Sequence, residues 1–296
     1  METEAIKNIS GIELFENINL DKYTTIKLGN TGSIAICNSI SALKQLLNTL
    51  KVQKMNYHLV GWGANQVLLN VDKTLFIKLD FAYEKSMLKE PKDQYDFVAS
   101  VPLNILTSHA MKFGIKGWEV FTGIPGSIGG AVYMNAGTAL GEIGDLIESV
   151  TILKTNGEIY TYECDKNSFG YRKNYFVKDG EVILSAKMKH FGIDESIKTK
   201  IKEYLEYRKT TQPLTTKNCG SVFKNFDSKY KAGQTIDTIG LKNFGYDHLK
   251  VSSLHANFVE NSGEATAEQF KNLVDCLKID IERYTGRKFV LEVKVY

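Results

Sequence analysis

The sequence predicts a mixed α+β chain of more than one domain, on three observations. Its 296 residues exceed the usual size of a single core. Segments of period-two and helical periodicity alternate along most of its length. After Gly192 the pattern changes, with Asp194 able to cap a helix and a rise in charge density, which places a domain boundary near 195. The expected division is 1–195, with lobes of about 1–69 and 70–195, followed by 196–296.

In chain order, Tyr23 to Ile36 reads as a β segment, and Ser41 leads into Leu43, Leu46, Leu47 and Leu50, the one-sided spacing of an amphipathic helix. Tyr57 to Val60 is a short strand that runs into Gly61-Trp62-Gly63-Ala64-Asn65. A helix around Ile105 to Phe113 precedes a long Gly-rich stretch. Two β runs flank Asn156-Gly157, a pair that tolerates the positive φ of a tight hairpin turn, and Val182, Leu184, Ala186 and Met188 alternate as a further strand. Past the boundary, Ile197, Ile201, Tyr204 and Leu205 mark the helix that Asp194 caps. Thr266 to Gln269 forms a capping box for a helix that buries Phe270, Leu273, Val274, Leu277 and Ile281, and Gly286 ends it. Phe289, Leu291, Val293 and Val295 then alternate in a closing strand, with Glu292 on its other face.

Composition excludes several function classes. Hydrophobic residues make up 43% and charged residues 24%, so the chain is neither disordered nor fibrous, and a net charge of +3 does not suggest nucleic acid as a partner. Cys37, Cys164, Cys219 and Cys276 show no metal or redox spacing, which fits a reducing compartment. The five histidines form no metal signature, so no metal is expected. The first residues lack the apolar run of a secretory signal. Val120 to Gly141 is uncharged over 22 residues, but six glycines, a proline and Asn135 make it a poor membrane span.

The Gly-rich stretch is the main chemical signal: Gly123, Ile124, Pro125, Gly126, Ser127, Gly129, Gly130, Ala131, Asn135 and Gly137. Small residues leave backbone N–H groups uncovered, so they can turn inward around an anion such as a pyrophosphate. The spacing is neither that of a dinucleotide-fold fingerprint nor that of a P-loop. Read alone, such a run is as well explained by a sharp turn or a bulge. A second loop, Gly61, Gly63, Ala64, Asn65 and Gln66, directly after a strand, favours a nucleotide cofactor.

These motifs, with Tyr23 to Gly29, Phe169-Gly-Tyr171-Arg172, Gln212-Pro-Leu, Cys219-Gly-Ser221-Val-Phe-Lys224-Asn225, His255-Ala-Asn257-Phe258 and Leu291-Glu292, occur in an order that resembles the UDP-N-acetylenolpyruvoylglucosamine reductases of bacterial cell-wall synthesis. The resemblance covers nearly the whole chain. It implies an FAD-binding domain of the vanillyl-alcohol-oxidase or PCMH type, in two lobes, and a smaller α+β substrate domain. It implies non-covalent FAD, NADPH as co-substrate and a UDP-sugar substrate, in a cytoplasmic monomer with no membrane partner. Ser221 matches the serine that protonates the substrate, Arg172 the arginine that polarises its carboxylate and Glu292 the acidic residue that assists at the enol. Tyr171, Arg208, Gln212, Lys224, Asn225, His255 and Asn257 match positions near the substrate. Arg208, Lys209, Lys217 and Lys224 could form an electropositive wall for the diphosphate.

Taken one at a time these residues read differently: Ser221 as a turn residue, Arg172 as a solvated charge, Glu292 as an exposed partner of Lys294, His255 as hydrogen-bonded structure. Trp62 and Ala64 stand where the family usually has Gly and Ser, Asn174 where it has Ser, and Phe226 where it has Pro; Glu260 is a further departure. There is no room between Phe176 and Arg208 for the extra tyrosine-bearing loop of some members. Two alternatives stay open: a related flavin oxidoreductase acting on another sugar or alcohol, and a redox-dead UDP-sugar binding protein.

Overall fold

A computed structural model of the chain describes residues 3–69, 71 and 74–296. The chain forms two compact units, neither of them a continuous stretch. The first holds residues up to Leu14, Ala35–Gly61 and Ile77–Glu206, and the second Phe15–Ile34, Trp62–Phe76 and Tyr207–Tyr296. The chain passes between units within strands Ile12–Asn19, Thr31–Cys37 and Thr74–Leu79 and within helix Ser196–Thr211.

The first unit is built on an antiparallel sheet in the order Ile159–Glu163, Ile147–Leu153, Val182–Met188, Tyr95–Val98. The predicted hairpin forms, but only Gly157 takes a positive φ, +86°. Lys154 N–H bonds to Glu158 O at 2.8 Å, so the turn is longer than one closed by Asn156-Gly157 alone. Helix Leu103–Phe113 stops at left-handed Gly114. The short helix Ile128–Tyr133, inside the Gly-rich stretch, packs on strands Val182–Met188 and Tyr95–Val98. The core centres on Trp118, Tyr95, Phe97, Phe121 and Ile128, all buried. Within it Tyr95 Oη meets His109 Nε2 at 2.8 Å.

Two expectations shift here. Helix Ile40–Val52 buries Leu43, Leu46 and Leu50 as predicted, but it begins after Ser39, whose hydroxyl accepts from Ala42 N; Ser41 lies inside it. The β segment is shorter than expected: residues 21–23 form a turn of 3₁₀ helix, Gly29 makes an isolated bridge to Thr266, and the regular strand is Thr31–Cys37.

The second unit holds the antiparallel sheet Lys217–Asn218, Val259–Asn261, Leu249–Val251, Gly245–Tyr246. Helix Ala267–Thr285 packs against Leu249–Val251. Its start is the predicted capping box: Thr266 Oγ1 accepts from Gln269 N at 3.2 Å while Gln269 Oε1 accepts from Thr266 N at 2.8 Å. Such a cap contributes about 1 kcal/mol. Phe270, Leu273, Val274, Leu277 and Ile281 are all buried, and Gly286 closes the helix at φ +68°. The closing strand is shorter than its alternation suggests. Only Lys294–Val295 form a ladder, in parallel with Gln66–Val67, while Leu291 pairs with Phe223 as an isolated antiparallel bridge.

Candidate functional site

In the first unit the Gly-rich stretch is held from below and open above. Gly129 N–H bonds to Ala99 O at 2.8 Å, and a Cβ at Gly129 would meet Ala99 Cβ at 2.8 Å, so this glycine serves packing. Gly130 differs: a Cβ there would meet nothing within 4 Å. Ser127 precedes the helix in extended conformation and is 6% exposed, yet its hydroxyl does not cap the helix and bonds to no described residue. The backbone N–H groups of Gly126, Ser127 and Gly130 likewise reach no acceptor among the described residues. A Cβ on Gly61 would lie 3.7 Å from Ser127 Oγ, so the glycine leaves room beside this hydroxyl. Uncovered N–H groups beside an unbonded hydroxyl are a donor set for an anionic group, and the diphosphate of FAD fits that chemistry. Pro125 is exposed, Gly123 and Ile124 are half-buried, and Ala131 is buried.

Asn135 and Gly137, from the same stretch, serve a different cluster. Arg172, held at φ +53°, donates from Nη2 to Gly137 O at 2.9 Å and from Nη1 to Asn135 O at 3.4 Å. Nη1 also stands 3.5 Å from Glu142 Oε1. Asn135 Nδ2 in turn donates to Glu142 Oε2 at 2.7 Å and to Gly170 O at 3.1 Å. The Arg172 guanidinium lies 5.1 Å over the Tyr171 ring, which is exposed. Arg172 is therefore an oriented charge, 17% exposed, and not a solvated one. Glu142, which orients it, was not among the expected residues; nothing in its sequence neighbourhood marks it, because the contact depends on tertiary folding.

In the second unit, residues far apart in sequence converge through the main chain. Gly63 is required: its φ is +63°, and a Cβ would collide with the Tyr23 carbonyl oxygen and approach Thr24 Cα to 2.6 Å. Thr25 N–H donates to Gly63 O at 3.2 Å. Trp62 before it is 44% exposed. Asn65 Nδ2 donates to Glu292 O at 3.1 Å, Lys294 N–H donates to Asn65 O at 2.9 Å, and Gln66 sits in register with Lys294. Glu292 N–H donates to Val222 O at 2.8 Å, Lys224 N–H to Val290 O at 2.9 Å, and Phe223 bridges Leu291. Ser221 is thus carried on a segment fixed against Val290–Glu292. It is half-buried, and its hydroxyl bonds to no described residue. Gly220 before it is left-handed, and a Cβ there would lie 3.7 Å from Ala64 O. Burial pushes the neighbouring Cys219 thiol up to about 12, so it stays protonated.

Asn257 supports this arrangement. Its Oδ1 accepts from Phe223 N at 3.0 Å, its Nδ2 donates to Phe223 O at 2.8 Å, and its own carbonyl accepts from Val222 N at 2.8 Å. Arg208 and Gln212 come together at a helix end, Nε to Oε1 at 2.9 Å, and Arg208 is only 8% exposed. Of the residues expected to form an electropositive wall, Arg208 is buried at this helix end. Asn225 Oδ1 accepts from Ala232 N at 2.9 Å, at the start of helix Ala232–Thr238. His255 packs on Phe258 with ring centroids 4.9 Å apart, and burial lowers its pKa, which keeps it neutral. Among the described residues no helix is long and apolar enough to cross a membrane, and no group of three or more His, Cys, Asp or Glu side chains could hold a metal ion.

Comparison with known proteins accounts for the same residues. Residues 32–163 match the FAD binding domain family, and residues 212–296 match the family of the C-terminal domain of UDP-N-acetylenolpyruvoylglucosamine reductase. The reductase of that name from Chlamydia felis is 32% identical over 88% of this chain and 86% of its own length. The one from Lactobacillus johnsonii is 31% identical over 96% and 95%. The chain belongs to the UDP-N-acetylenolpyruvoylglucosamine reductase family. The crystal structure of the Thermus caldophilus reductase superposes with a TM-score of 0.79 at 26% identity, covering 96% of this chain and 98% of that one. Within the family frame, the FAD-domain match spans both glycine loops, and the C-terminal match spans Gln212, Ser221, Lys224, Asn257 and Glu292. Arg172 and Arg208 fall between the two matches.

Proposed function

We propose that the chain reduces UDP-N-acetylenolpyruvoylglucosamine to UDP-N-acetylmuramate with NADPH, as a monomeric cytoplasmic enzyme of peptidoglycan precursor synthesis. The observation that carries this reading is the convergence in the second unit: the segment of Ser221 and Lys224, the stretch before and after Glu292, and Asn65 are joined by consecutive hydrogen bonds. In functional terms residues 1–195 serve the cofactor and residues 196–296 the substrate.

FAD, when bound, supplies the hydride to the enolpyruvyl double bond after taking it from NADPH. Gly126, Ser127 and Gly130 would hold its diphosphate through their N–H groups and the Ser127 hydroxyl, with Gly61 giving room beside them. Gly123, Ile124, Pro125, Gly129 and Ala131 shape that loop, and Gly63 to Gln66 continue the second loop. The residues of the chain then have separable tasks. Arg172, oriented by Glu142 and by two carbonyls, stabilises the charge that develops on the substrate carboxylate. Ser221, whose hydroxyl has no hydrogen-bond partner among the described residues, delivers the proton. Glu292 assists at the enol. Tyr171, Arg208, Gln212, Lys224, Asn225 and His255 contribute to holding the UDP-sugar, and Asn257 keeps the serine segment in place.

The purified protein should be yellow, bleach on addition of NADPH and recover its visible absorption only when the enolpyruvyl substrate is added. Colourless protein that cannot be reconstituted with FAD would refute the assignment. Recovery with other sugars or alcohols, and not with this substrate, would point to the related oxidoreductase reading.

A further inference from the structure

Arg287 carries a charge that the proposed chemistry does not use. It follows the Gly286 helix stop and lays its guanidinium over two rings, 4.5 Å from the centroid of Tyr230 and 5.1 Å from that of Phe226. Phe226 stacks in turn on Phe289, with centroids 5.9 Å apart and planes at 22°. Among the described residues the Arg287 side chain has no carboxylate partner and no hydrogen-bond acceptor, and its Nε is buried without one. A planar cation without acceptors is costly to desolvate, and two aromatic faces are the compensation that this site offers.

The two rings stand at the two ends of one turn. Phe226 N–H donates to Tyr230 O at 3.0 Å, and the Asp227 carboxylate accepts from Lys229 N at 2.8 Å and Tyr230 N at 2.7 Å. The guanidinium bridges the side chains that this turn brings near each other. Immediately before the turn lie Lys224, moored through its N–H to Val290 O, and Asn225, moored through its Oδ1 to Ala232 N. The Lys-Asn pair is thus fixed on one side by strand-like pairing and on the other by a turn that Arg287 holds shut.

We propose that Arg287 is a positioning residue that acts through Phe226 and Tyr230 to set the reach of Lys224 and Asn225 toward the diphosphate of a UDP-sugar. The proposal rests on the substrate roles given above to Lys224 and Asn225. It separates shape from charge: a lysine keeps the positive charge but has no plane to lie against two rings.

The test uses the FAD-loaded protein. UDP-N-acetylglucosamine is titrated calorimetrically, KM and kcat are measured with the enolpyruvyl substrate, and flavin bleaching by NADPH alone is followed in parallel. Arg287→Ala and Arg287→Lys should each weaken UDP-N-acetylglucosamine binding and raise KM by about fivefold, with kcat and the bleaching rate unchanged. Phe226→Leu, at a position 47% exposed and so tolerant in folding, should reproduce the loss. The double variant Arg287→Ala/Phe226→Leu should lose less than the sum of the two single losses, since the Arg287–Phe226 contact is common to both, and full additivity would overturn the coupling. Wild-type affinity in all variants would overturn the proposal. So would retention of binding by Arg287→Lys alone, which would make Arg287 a direct anion ligand. A wild-type protein that neither binds the UDP-sugar nor bleaches would instead refute the assigned function.

Discussion

The two units hold their functional side chains by opposite means. In the first, Arg172 is oriented by contacts of its own side chain, to Gly137, Asn135 and Glu142, at a backbone with positive φ. In the second, the Ser221 hydroxyl makes no hydrogen bond among the described residues, and the residue is placed by main-chain pairing of its neighbours with Val290–Glu292 and by the Asn257 amide. The contrast follows from the tasks proposed for them. A guanidinium that must present a fixed direction needs several weak partners. A hydroxyl that must give up a proton is better left without any, so the precision has to come from the backbone beneath it.

Substitutions should show that difference. The largest effect is expected from Ser221→Ala, which removes the proton donor and none of the scaffold: product formation should fall by about a hundredfold or more while NADPH still bleaches the flavin and the urea midpoint stays put. Stopped-flow measurement of the two half-reactions checks it, and near-normal turnover would remove Ser221 from the mechanism. Asn257→Leu inverts this pattern. It leaves the Phe223 N–H and C=O without partners in a buried place, so stability should drop by about 2–4 kcal/mol in urea unfolding, with activity lost through misplacement of the serine segment. The smallest effect belongs to the first unit: Glu142→Gln weakens the charge that orients Arg172 but keeps the Asn135 contact possible. It should lower kcat/KM for the enolpyruvyl substrate by roughly fivefold, about 1 kcal/mol, with little change in stability.

How much of this was legible in the sequence depended on the range of the interaction. The Thr266 to Gln269 cap, the buried stripe of its helix and the Gly286 stop are local, and each is found in the structure. Ser39 was missed as the cap of the first long helix because Ser41, two positions on, fits the same pattern. The closing strand is extended but changes partner along its length, from Phe223 at Leu291 to Gln66–Val67 at Lys294–Val295, which alternation, reporting only which residues face inward, does not reveal. At the candidate site the ordered motifs selected Ser221, Arg172 and Glu292, whereas Glu142 and Arg287 carry no local signature. One works by an ion pair formed across a fold, the other by rings that only the turn brings together. Asn257 was selected by the same motifs, but the sequence does not show that its amide holds the backbone of Phe223.

The bond from Asn65 to Glu292 spans 227 positions. At a synthesis rate of about 5–20 residues per second, the second glycine loop leaves the ribosome on the order of ten seconds or more before the residues that hold it exist. During that interval Gln66–Val67 is an unpaired edge of β-prone sequence. Assembly of the second unit is therefore the late event in the life of each chain, and the yield of correctly made protein should depend on what shelters that edge until the last strand arrives.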